Sequence, residues 1–290
     1  YGELRTMSVV IDGKATAAKM RASVKNDCDK IFAVHGKRPK LAIVLVGDNP
    51  ASQIYVASKE RACAEVGMES IVVRLPENSD QNTVEKTVSE LCLDETINGV
   101  MVQLPLPKTL NEKPVLELIP FEKDVDGLTS ANAGRLFHGE KCLVPCTPKG
   151  VIALLKEYDI PLSGKNAVII GRSNLVGKPL SILLLNENCT VTVCHSKTER
   201  LSDFTKKADI LVVAIGKDRF VKSDMVKPDA VVIDVGINRT EDGLHGDVDY
   251  QSVKEIVGYI TPVPGGVGPM TVAMLLQNTV EAFNLQNSDK

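Results

Sequence analysis

Short apolar runs alternate with longer segments of helical character along most of the chain. Residues 41–46, 70–75 and 99–102 are compact apolar runs that predict strands. The segments that follow the first two are rich in helix-forming residues and predict helices, one with Ser52 as its N-cap and one over residues 82–93. This alternation predicts an α/β fold with a largely parallel sheet.

The same pattern restarts near Gly164 after an interruption. Strands are predicted over residues 166–170, 190–194, 210–214 and 230–235, and helices over residues 178–185 and 201–208. Residues 261–269 are too rich in Pro and Gly to be regular, and a last helix is predicted over residues 270–285. We therefore expect two domains, with a boundary near a helix over residues 148–158.

Composition narrows the classes of protein that fit this pattern. The net charge is −3 and the basic residues are spread along the chain, so nothing favours nucleic acid as a partner. The sequence contains no run of about 18 apolar residues, so no transmembrane helix is predicted. The first six residues do not resemble a signal peptide, and Met7 is the expected natural start. We expect a cytoplasmic protein.

The seven cysteines predict neither a disulfide framework nor a metal site. Their number is odd, and most lie among apolar neighbours. Cys142 and Cys146 are four residues apart, with no matching Cys or His pair at zinc-finger spacing. The cysteines are interpreted as reduced core thiols.

A glycine turn follows the predicted strand 166–170 and precedes a predicted helix. Gly171 and Gly177 stand near the first and third positions of the dinucleotide fingerprint G-x-G-x-x-G. Ser173 occupies the middle position and the turn is one residue longer, so the match is weak by itself. The surrounding strand, helix and second strand form the βαβ unit that such a site requires.

The end of the second strand of this unit indicates which dinucleotide fits. NAD sites usually carry an acid there that binds the ribose 2′-hydroxyl. Here the residues are His195, Ser196, Lys197 and Thr198, with Arg172 in the turn. Neutral and basic groups favour the 2′-phosphate of NADP. The alternative is that Lys197 and His195 are solvated loop residues, but the absence of an acid favours NADP.

Tyr55 and Lys59 are four residues apart and would share one face of a predicted helix. An isolated pair of this kind is most often an exposed Tyr packed on a Lys stem. Tyr-x-x-x-Lys also occurs in short-chain dehydrogenases, but there it follows an N-terminal glycine turn. The reversed order here argues against that family.

Further polar residues lie at predicted loops. Gln103 follows a predicted strand and precedes Pro105 and Pro107, which force a loop at a strand end where α/β proteins bind ligands. Asp124 and Asp126 precede a glycine; they could serve a turn, acid/base work, a metal or a cationic ligand. The residues alone indicate an NADP-dependent enzyme with a polar cleft.

Together these segments resemble the methylenetetrahydrofolate dehydrogenase/cyclohydrolase family over nearly the whole chain from Met7. The resemblance rests on the following segments in this order: residues 46–52, 55–59, 102–107, 123–127, 145–148, 171–173, 176–179 and 261–271. Each segment alone is a weak indication of the family, but their combination in this order is highly specific for it. The turn Gly171-Arg172-Ser173 is the family's own form of the glycine turn.

The resemblance implies the two reactions and the roles of individual residues. The enzyme would oxidise 5,10-methylenetetrahydrofolate with NADP and hydrolyse the 5,10-methenyl product to 10-formyltetrahydrofolate. Lys59 would shuttle the proton, Gln103 would hold and tune Lys59, Tyr55 would pack on the folate ring, and Asp126 would bind the pterin edge. The substrate-binding residues would be Tyr55, Lys59, Val102, Gln103, Leu104, Asp126, Pro264, Gly265, Gly266 and Val267. The cofactor-binding residues would be Thr147, Gly171, Arg172, Ser173, Ser196 and Ile237.

The resemblance also implies the organisation of the domains. Residues 1–148 with 270–290 would form the catalytic folate-binding domain, and residues 149–269 a Rossmann-type NADP-binding domain, with the folate in a cleft between them. Both domains would contain a mostly parallel sheet flanked by helices. Members of the family usually form a homodimer through their Rossmann domains, and the resemblance implies the same here.

Three alternatives stay open at this stage. One is a member of the family that lacks one activity or prefers NAD. Another is a silent folate-binding or regulatory subunit, against which the intact set of Tyr55, Lys59, Gln103 and Asp126 argues. The third is an unrelated nicotinamide dehydrogenase, which would have no use for the Pro- and Gly-rich stretch 264–269.

Overall fold

A computed structural model of the chain describes residues 8–287. The expected start at Met7 lies outside these residues. The chain divides into two compact units. We call them the three-stranded unit, Ala18–Cys146 with the chain from Val272, and the six-stranded unit, Thr147–Thr271 with the chain up to Ala17. The boundaries fall inside helices.

The three-stranded unit contains a parallel sheet in the order β3-β2-β4. Its strands are β2 (Lys40–Val46), β3 (Glu69–Leu75) and β4 (Gly99–Val102). Its helices are α1 (Gly13–His35, beginning in the other unit), α2 (Pro50–Glu65), α3 (Gln81–Leu93), α4 (Glu112–Glu117) and α5 (Ser130–His138), with most of α10 (Val267–Asn287).

The six-stranded unit contains a parallel sheet in the order β1-β11-β8-β7-β5-β6. Its strands are β1 (Val9–Val10), β5 (Asn166–Ile170), β6 (Thr190–Cys194), β7 (Ile210–Val213), β8 (Val231–Asp234) and β11 (Tyr259–Ile260). An antiparallel pair adds β9 (Asn238–Thr240) and β10 (Gly243–His245). Its helices are α6 (Cys146–Glu157), α7 (Gly177–Asn186), α8 (Ser202–Thr205) and α9 (Tyr250–Val253), with the 3-10 turn Ser223–Met225.

The central strands are apolar on both faces because helices cover parallel sheets on both sides. The side chains of β4 are all buried, and so are those of β7 and β8. The core of the three-stranded unit includes Val44, Val84 and Val100, from a strand, a helix and a second strand. The predicted fold class, two mostly parallel α/β domains, is confirmed.

The N-terminal segment differs from the expected domain assignment. Residues 1–148 were expected in one domain, but β1 adds to the six-stranded sheet by pairing in parallel with β11. The amide of Val9 donates to the carbonyl of Gly258, and that of Ile11 to the carbonyl of Ile260, both at 2.8 Å. Backbone pairing over so short a strand leaves no periodic signal in the sequence.

Two further expectations about helix ends are corrected. Helix α2 begins at Pro50, and its N-cap is Asn49 rather than Ser52, because the Asn49 side chain accepts from the amides of Ala51 and Ser52 at 3.0 and 3.1 Å. Helix α10 begins at Val267, inside the stretch expected to be irregular. Pro269 is tolerated there because the first turn of a helix does not need its amide.

Candidate functional site

The three-stranded sheet has a switch point between β2 and β4. The chain passes from β2 to β3 on one side and later places β4 on the other side. In open α/β sheets, ligands bind outside the carboxyl ends of strands at such a point. Helix α2 follows β2, and Gln103 directly follows β4.

Lys59 of α2 reaches the residue at the end of β4. Its ammonium donates to Oε1 of Gln103 at 2.9 Å. The amide group of Gln103 is fixed in turn, because its Nε2 donates to the carbonyl of Leu104 at 2.8 Å. The backbone amide of Gln103 also donates to the carbonyl of Val44 on the neighbouring strand. The orientation of the Lys59 side chain is thus defined by the sheet.

Tyr55 lies one turn before Lys59 on the same helix, as the spacing predicts. Its side chain is 53% exposed, although it is a large ring with a substantial apolar surface. An exposed tyrosine ring beside a partly buried lysine offers a flat surface to an aromatic ligand.

Asp126 is carried to the same end of the sheet by its neighbours. Asp124 forms a parallel bridge with Val100 of β4, so Asp126 is displaced in the direction of Gln103. Burial raises the pKa of Asp126, and the Lys59 ammonium acts in the opposite direction. The thiol of Cys146 lies 3.9 Å from Oδ1 of Asp126. An acid, an ammonium and an amide therefore meet at one site.

The two neighbouring acids have separate roles. The Asp124 carboxylate accepts from the amides of Leu128 and Thr129 at 3.1 and 2.9 Å and from Nδ2 of Asn132 at 2.8 Å. Asp124 therefore shapes the turn, which was one of the open interpretations. This leaves Asp126 as the acid of the pair that is available to a ligand.

The six-stranded sheet has its own switch point between β5 and β7, where the glycine turn lies. Gly171 has φ +126°, and a Cβ there would lie 2.3 Å from the carbonyl oxygen of Ala214. A Cβ at Gly177 would lie 2.1 Å from the carbonyl oxygen of Gly171. Both positions require glycine because backbone segments touch there. The turn is thereby held tightly against the start of α7.

Backbone donors at this turn suit a phosphate. Helix α7 has no side chain that caps its N-terminus. Pro179 has no amide hydrogen and the amide of Lys178 donates to Ser173, so Gly177 supplies the first-turn amide that a phosphate could meet. Ser173 supports the turn, because its Oγ accepts from the amide of Val176 at 3.1 Å and its carbonyl accepts from that of Lys178 at 3.0 Å. This cradle fits a dinucleotide pyrophosphate.

Arg172 and Ser196 leave adjacent strands at the same end of the sheet. Ile170 pairs with Cys194, and the amide of Gly171 donates to the carbonyl of Cys194 at 2.8 Å. Arg172 and Ser196 are both exposed. The backbone of residues 195–198 is closed into a turn, in which the amide of His195 donates to Oγ1 of Thr198 at 2.8 Å.

The remaining predicted residues divide into exposed and buried groups. Ile237 is 54% exposed and Pro264 is exposed, whereas Thr147 is half-buried and its hydroxyl lies 3.1 Å from that of Thr271. Val102 and Val267 are only 1% and 3% exposed, so a ligand could meet little beyond their backbone. Buried Gly266 and half-buried Gly265 belong to the turn after β11, and Leu104 is half-buried.

Two functional candidates were missed in the sequence. Asp234 and Asp247 are buried acids, 3% and 0% exposed, beside the carboxyl ends of β7 and β8. The available signal was an acid that closes the apolar run Val231–Asp234 and a second acid in Gly246-Asp247. Among the described residues, no group of three or more His, Cys, Asp or Glu could hold a metal. No helix of the described part is long and apolar enough to cross a membrane.

A glycine-turn nucleotide fold in one unit and a candidate Lys–Gln–Asp site in the other indicate the class, a two-domain enzyme that uses a nicotinamide dinucleotide. The catalytic-domain profile of the tetrahydrofolate dehydrogenase/cyclohydrolase family matches residues 11–126, and its NAD(P)-binding-domain profile matches residues 145–287. The chain belongs to the tetrahydrofolate dehydrogenase/cyclohydrolase family.

Relatives in sequence and in structure agree over nearly the full length. The chain is 53% identical over 274 residues to the bifunctional protein FolD of Lactococcus lactis subsp. cremoris, covering 94% of this chain and 96% of that protein. The crystal structure of the bifunctional enzyme FolD from Campylobacter jejuni has a TM-score of 0.93 at 49% identity and covers 96% of this chain and 99% of that chain. The Trypanosoma brucei enzyme, solved with NADP and an inhibitor, has a TM-score of 0.91 at 37% identity, with coverage of 97% and 98%.

The family membership confirms the predicted activities. The chain is an enzyme of one-carbon folate metabolism that oxidises 5,10-methylenetetrahydrofolate and hydrolyses the methenyl product to 10-formyltetrahydrofolate. Its second domain binds a nicotinamide dinucleotide.

Proposed function

We propose that Lys59, held by Gln103, transfers the proton in the hydrolytic step, and that the dehydrogenase step uses NADP. The observation that carries the first part is the 2.9 Å hydrogen bond from Lys59 to Gln103. Gln103 orients the ammonium of Lys59. Its amide oxygen accepts the hydrogen bond but does not take up the proton, because an amide is neutral. Lys59 thus keeps a defined direction while its own proton remains available.

Asp126 and Tyr55 would orient the folate. The edge of the pterin carries adjacent N–H donors, and a carboxylate accepts two of them at once. Asp126 is the acid of its pair that is not committed to a turn, and its side chain is half-buried, so it can still meet a ligand. The exposed ring of Tyr55 supports stacking against the folate. Val102 and Leu104, on either side of Gln103, would complete this pocket, Val102 through its backbone. The substrate-binding roles of Pro264, Gly265, Gly266 and Val267 stay predictions of the sequence resemblance.

The preference for NADP is supported by the residues at the ends of β5 and β6. When bound, NADP accepts the hydride from the one-carbon bridge. Gly171 and Ser173 would hold its pyrophosphate, and Arg172 with Ser196 its 2′-phosphate, since both lie exposed at one end of adjacent strands and residues 195–198, directly after β6, include no acid. Thr147 and Ile237 would line the nicotinamide end. The Trypanosoma brucei enzyme, which shares the fold, was solved with NADP.

A homodimer through the six-stranded unit completes the proposal. Strand β6 is an edge of the sheet, Val193 on it is 36% exposed, and Leu185 on the adjacent α7 is 57% exposed. Apolar side chains beside an unpaired edge strand favour association. Sedimentation of the wild type and of Val193→Lys tests this; a dimer that Val193→Lys weakens supports the interface.

The cytoplasmic location is supported by the cysteines, all seven of which are thiols.

The activities are tested by mixing the pure protein with 5,10-methylenetetrahydrofolate and NADP, and then with NAD. Reduced nicotinamide and methenyl product are followed together. NADPH formation with little accumulation of methenyl product is expected. Accumulation of methenyl product would contradict the hydrolytic role of Lys59, and turnover only with NAD would contradict the roles of Arg172 and Ser196. Absence of turnover with both cofactors would favour a silent folate-binding subunit.

A further inference from the structure

The two buried acids of the six-stranded unit, Asp234 and Asp247, have no place in the reactions described so far. Both are carboxylates in the protein interior, where an acid is retained only with dense hydrogen bonding. Asp247 is fully buried and Asp234 is 3% exposed. The hydrogen-bond donors that the two carboxylates meet show which loops the carboxylates fix.

Asp247 fixes the loop that follows β7. Its Oδ2 accepts from the amides of Ile215 and Gly216 at 2.6 and 2.9 Å, and its Oδ1 accepts from the amide of Lys217 at 2.8 Å. Three consecutive backbone amides that converge on one point form an anion-binding nest. Here the anion is a side chain of the protein itself, so the loop has its shape before any cofactor binds.

Asp247 also fixes the loop that follows β8. Its Oδ1 accepts a further bond from Nδ2 of Asn238 at 2.9 Å. Asp234, at the end of β8, accepts from the amide of Gly236 at 2.9 Å. Ile237 therefore lies between two anchored residues, and its side chain is 54% exposed. A fixed backbone is what a residue that contacts a ligand requires.

Asp234 joins this arrangement to a third loop. Its carboxylate accepts from the amides of Asp247 and Val248, both at 2.9 Å, and so holds Asp247 in place. Its own amide donates to Oγ1 of Thr261 at 2.7 Å, at the start of the turn after β11. The carboxyl ends of β7, β8 and β11 are thereby tied together.

The packing around the pair leaves no room for adjustment. A Cβ at Gly236 would lie 2.2 Å from Cγ of Asp247, and a Cβ at Gly246 would lie 1.9 Å from Oδ2 of Asp234. The loop after β7 also touches the glycine turn, since a Cβ at Gly171 would meet the carbonyl of Ala214. A shift of the loop is thus transmitted to the turn that receives the pyrophosphate.

We propose that Asp247, held by Asp234, is a positioning residue for the nicotinamide cofactor: it presets the loops after β7 and β8 and thereby the place of Ile237. This inference rests on the proposed role of Ile237 and Gly171 in cofactor binding. Asp247 touches neither substrate nor cofactor in this account. It acts by making the nucleotide site rigid in advance, which reduces the ordering needed on binding.

Asp247→Asn tests the proposal because it keeps the size of the side chain. An amide nitrogen cannot accept a hydrogen bond, so two of the four donors lose their acceptor. Asp209→Asn is the matched control. Asp209 lies directly before β7, at the opposite end of the same strand, where its carboxylate accepts from the amide of Asn166 at 2.9 Å and from Lys227. Both variants remove a structural carboxylate from one unit.

The primary measurement is the Kd of NADP by titration calorimetry, with thermal unfolding recorded in parallel. We expect Asp247→Asn to weaken NADP binding about tenfold or more, because loops that are no longer preset must be ordered when the cofactor binds; a tenfold change corresponds to about 1.4 kcal/mol. Asp209→Asn should lower the unfolding temperature without changing the Kd. Hydrolysis of methenyltetrahydrofolate, which needs no hydride transfer, should stay within about twofold of the wild type in both variants.

Three outcomes would overturn the inference. NADP binding to Asp247→Asn that equals the wild type would do so, as would an equal loss of affinity in the control. Parallel loss of hydrolysis and of NADP binding would show a general structural role. If Asp247→Asn does not fold, Asn238→Ala decides: it removes one donor beside Ile237, and an unchanged Kd would overturn the proposal. A wild type that binds no NADP would instead contradict the proposed function itself.

Discussion

The two sheets place their candidate sites by the same topological rule but build them from different parts of the chain. In the three-stranded unit, the switch point between β2 and β4 carries side chains with reactive groups: Lys59, Gln103 and Asp126. In the six-stranded unit, the switch point between β5 and β7 is made of backbone that only glycine permits, as at Gly171.

On the proposed assignments, this difference separates chemistry from cofactor binding. A side-chain site can lose its reaction through one substitution and keep its shape, because the backbone around it is unchanged. A backbone site has few groups to remove, and it fails when its shape is disturbed. Four substitutions distinguish the two kinds of site, and their expected effects decrease from Lys59→Met to Asp234→Asn.

The largest effect is expected for Lys59→Met. Methionine keeps much of the length and apolar character of the lysine stem but cannot carry a proton. Hydrolysis of methenyltetrahydrofolate should fall at least about a hundredfold, the usual contribution of a positioned proton-transfer group. Hydride transfer should remain substantial. Separate assays of the two steps check this, and equal loss of both would show that Lys59 is structural or binds substrate generally.

Gly171→Ala should remove most NADP affinity, because its Cβ would lie 2.3 Å from the carbonyl oxygen of Ala214. Gly164→Ala is the matched control: Gly164 also has a positive φ, +76°, but nothing lies within 4 Å of its added Cβ. The control should be destabilised by only about 1 kcal/mol from backbone strain. Calorimetric titration with NADP compares the two, and similar affinities would contradict the close approach at the turn.

Arg172→Ala should raise the KM for NADP about tenfold and leave the KM for NAD nearly unchanged, because only NADP offers a 2′-phosphate to the guanidinium. Arg74→Ala, in the other unit, controls for the loss of a surface charge; its side chain is 58% exposed. Initial rates with each cofactor provide the measurement. An equal rise for NADP and NAD would remove Arg172 from 2′-phosphate recognition.

Asp234→Asn should change how stability depends on pH. Burial raises the pKa of Asp234 from its ordinary value of 3.8 to about 7. Hydrogen bonds from three backbone amides lower this pKa, and the nearby charge of Asp247 raises it further. A raised pKa in the folded state gives stability that is full below the unfolded pKa and is lost as the pH rises through the folded pKa.

The difference in unfolding free energy, wild type minus Asp234→Asn, should therefore fall between pH 4 and pH 7 or so and be flat above. Urea unfolding at a series of pH values measures it. A difference that stays constant, or that rises with pH, would show that Asp234 is ionised throughout this range.

Most of the central sheet was predictable because its strands are continuous apolar runs. The predicted strands 166–170 and 190–194 coincide with the observed ones, and the glycine turn was found from its spacing. Helix α1 and the pairing of β1 with β11 were not predicted. Two-residue strands have no period, and the domain that receives them is decided by tertiary pairing alone.

The same limit applies to the sites. Tyr55 and Lys59 share a helix, so their proximity follows from the spacing, and the approach of Lys59 to Gln103 follows once β2 and β4 are neighbours. The different tasks of Asp124 and Asp126 could not be separated, because they depend on which amides each carboxylate meets. Asp247 was missed because its partners come from two loops distant in sequence.

The division between the two sites is tested most directly by measuring two rates in two variants, Lys59→Met and Arg172→Ala. One rate is hydrolysis of methenyltetrahydrofolate, and the other is dehydrogenation at a fixed, subsaturating concentration of NADP. We expect opposite losses: hydrolysis falls in the lysine variant, and dehydrogenation falls in the arginine variant. If both rates fall together in each variant, the separation of chemistry from cofactor binding is wrong.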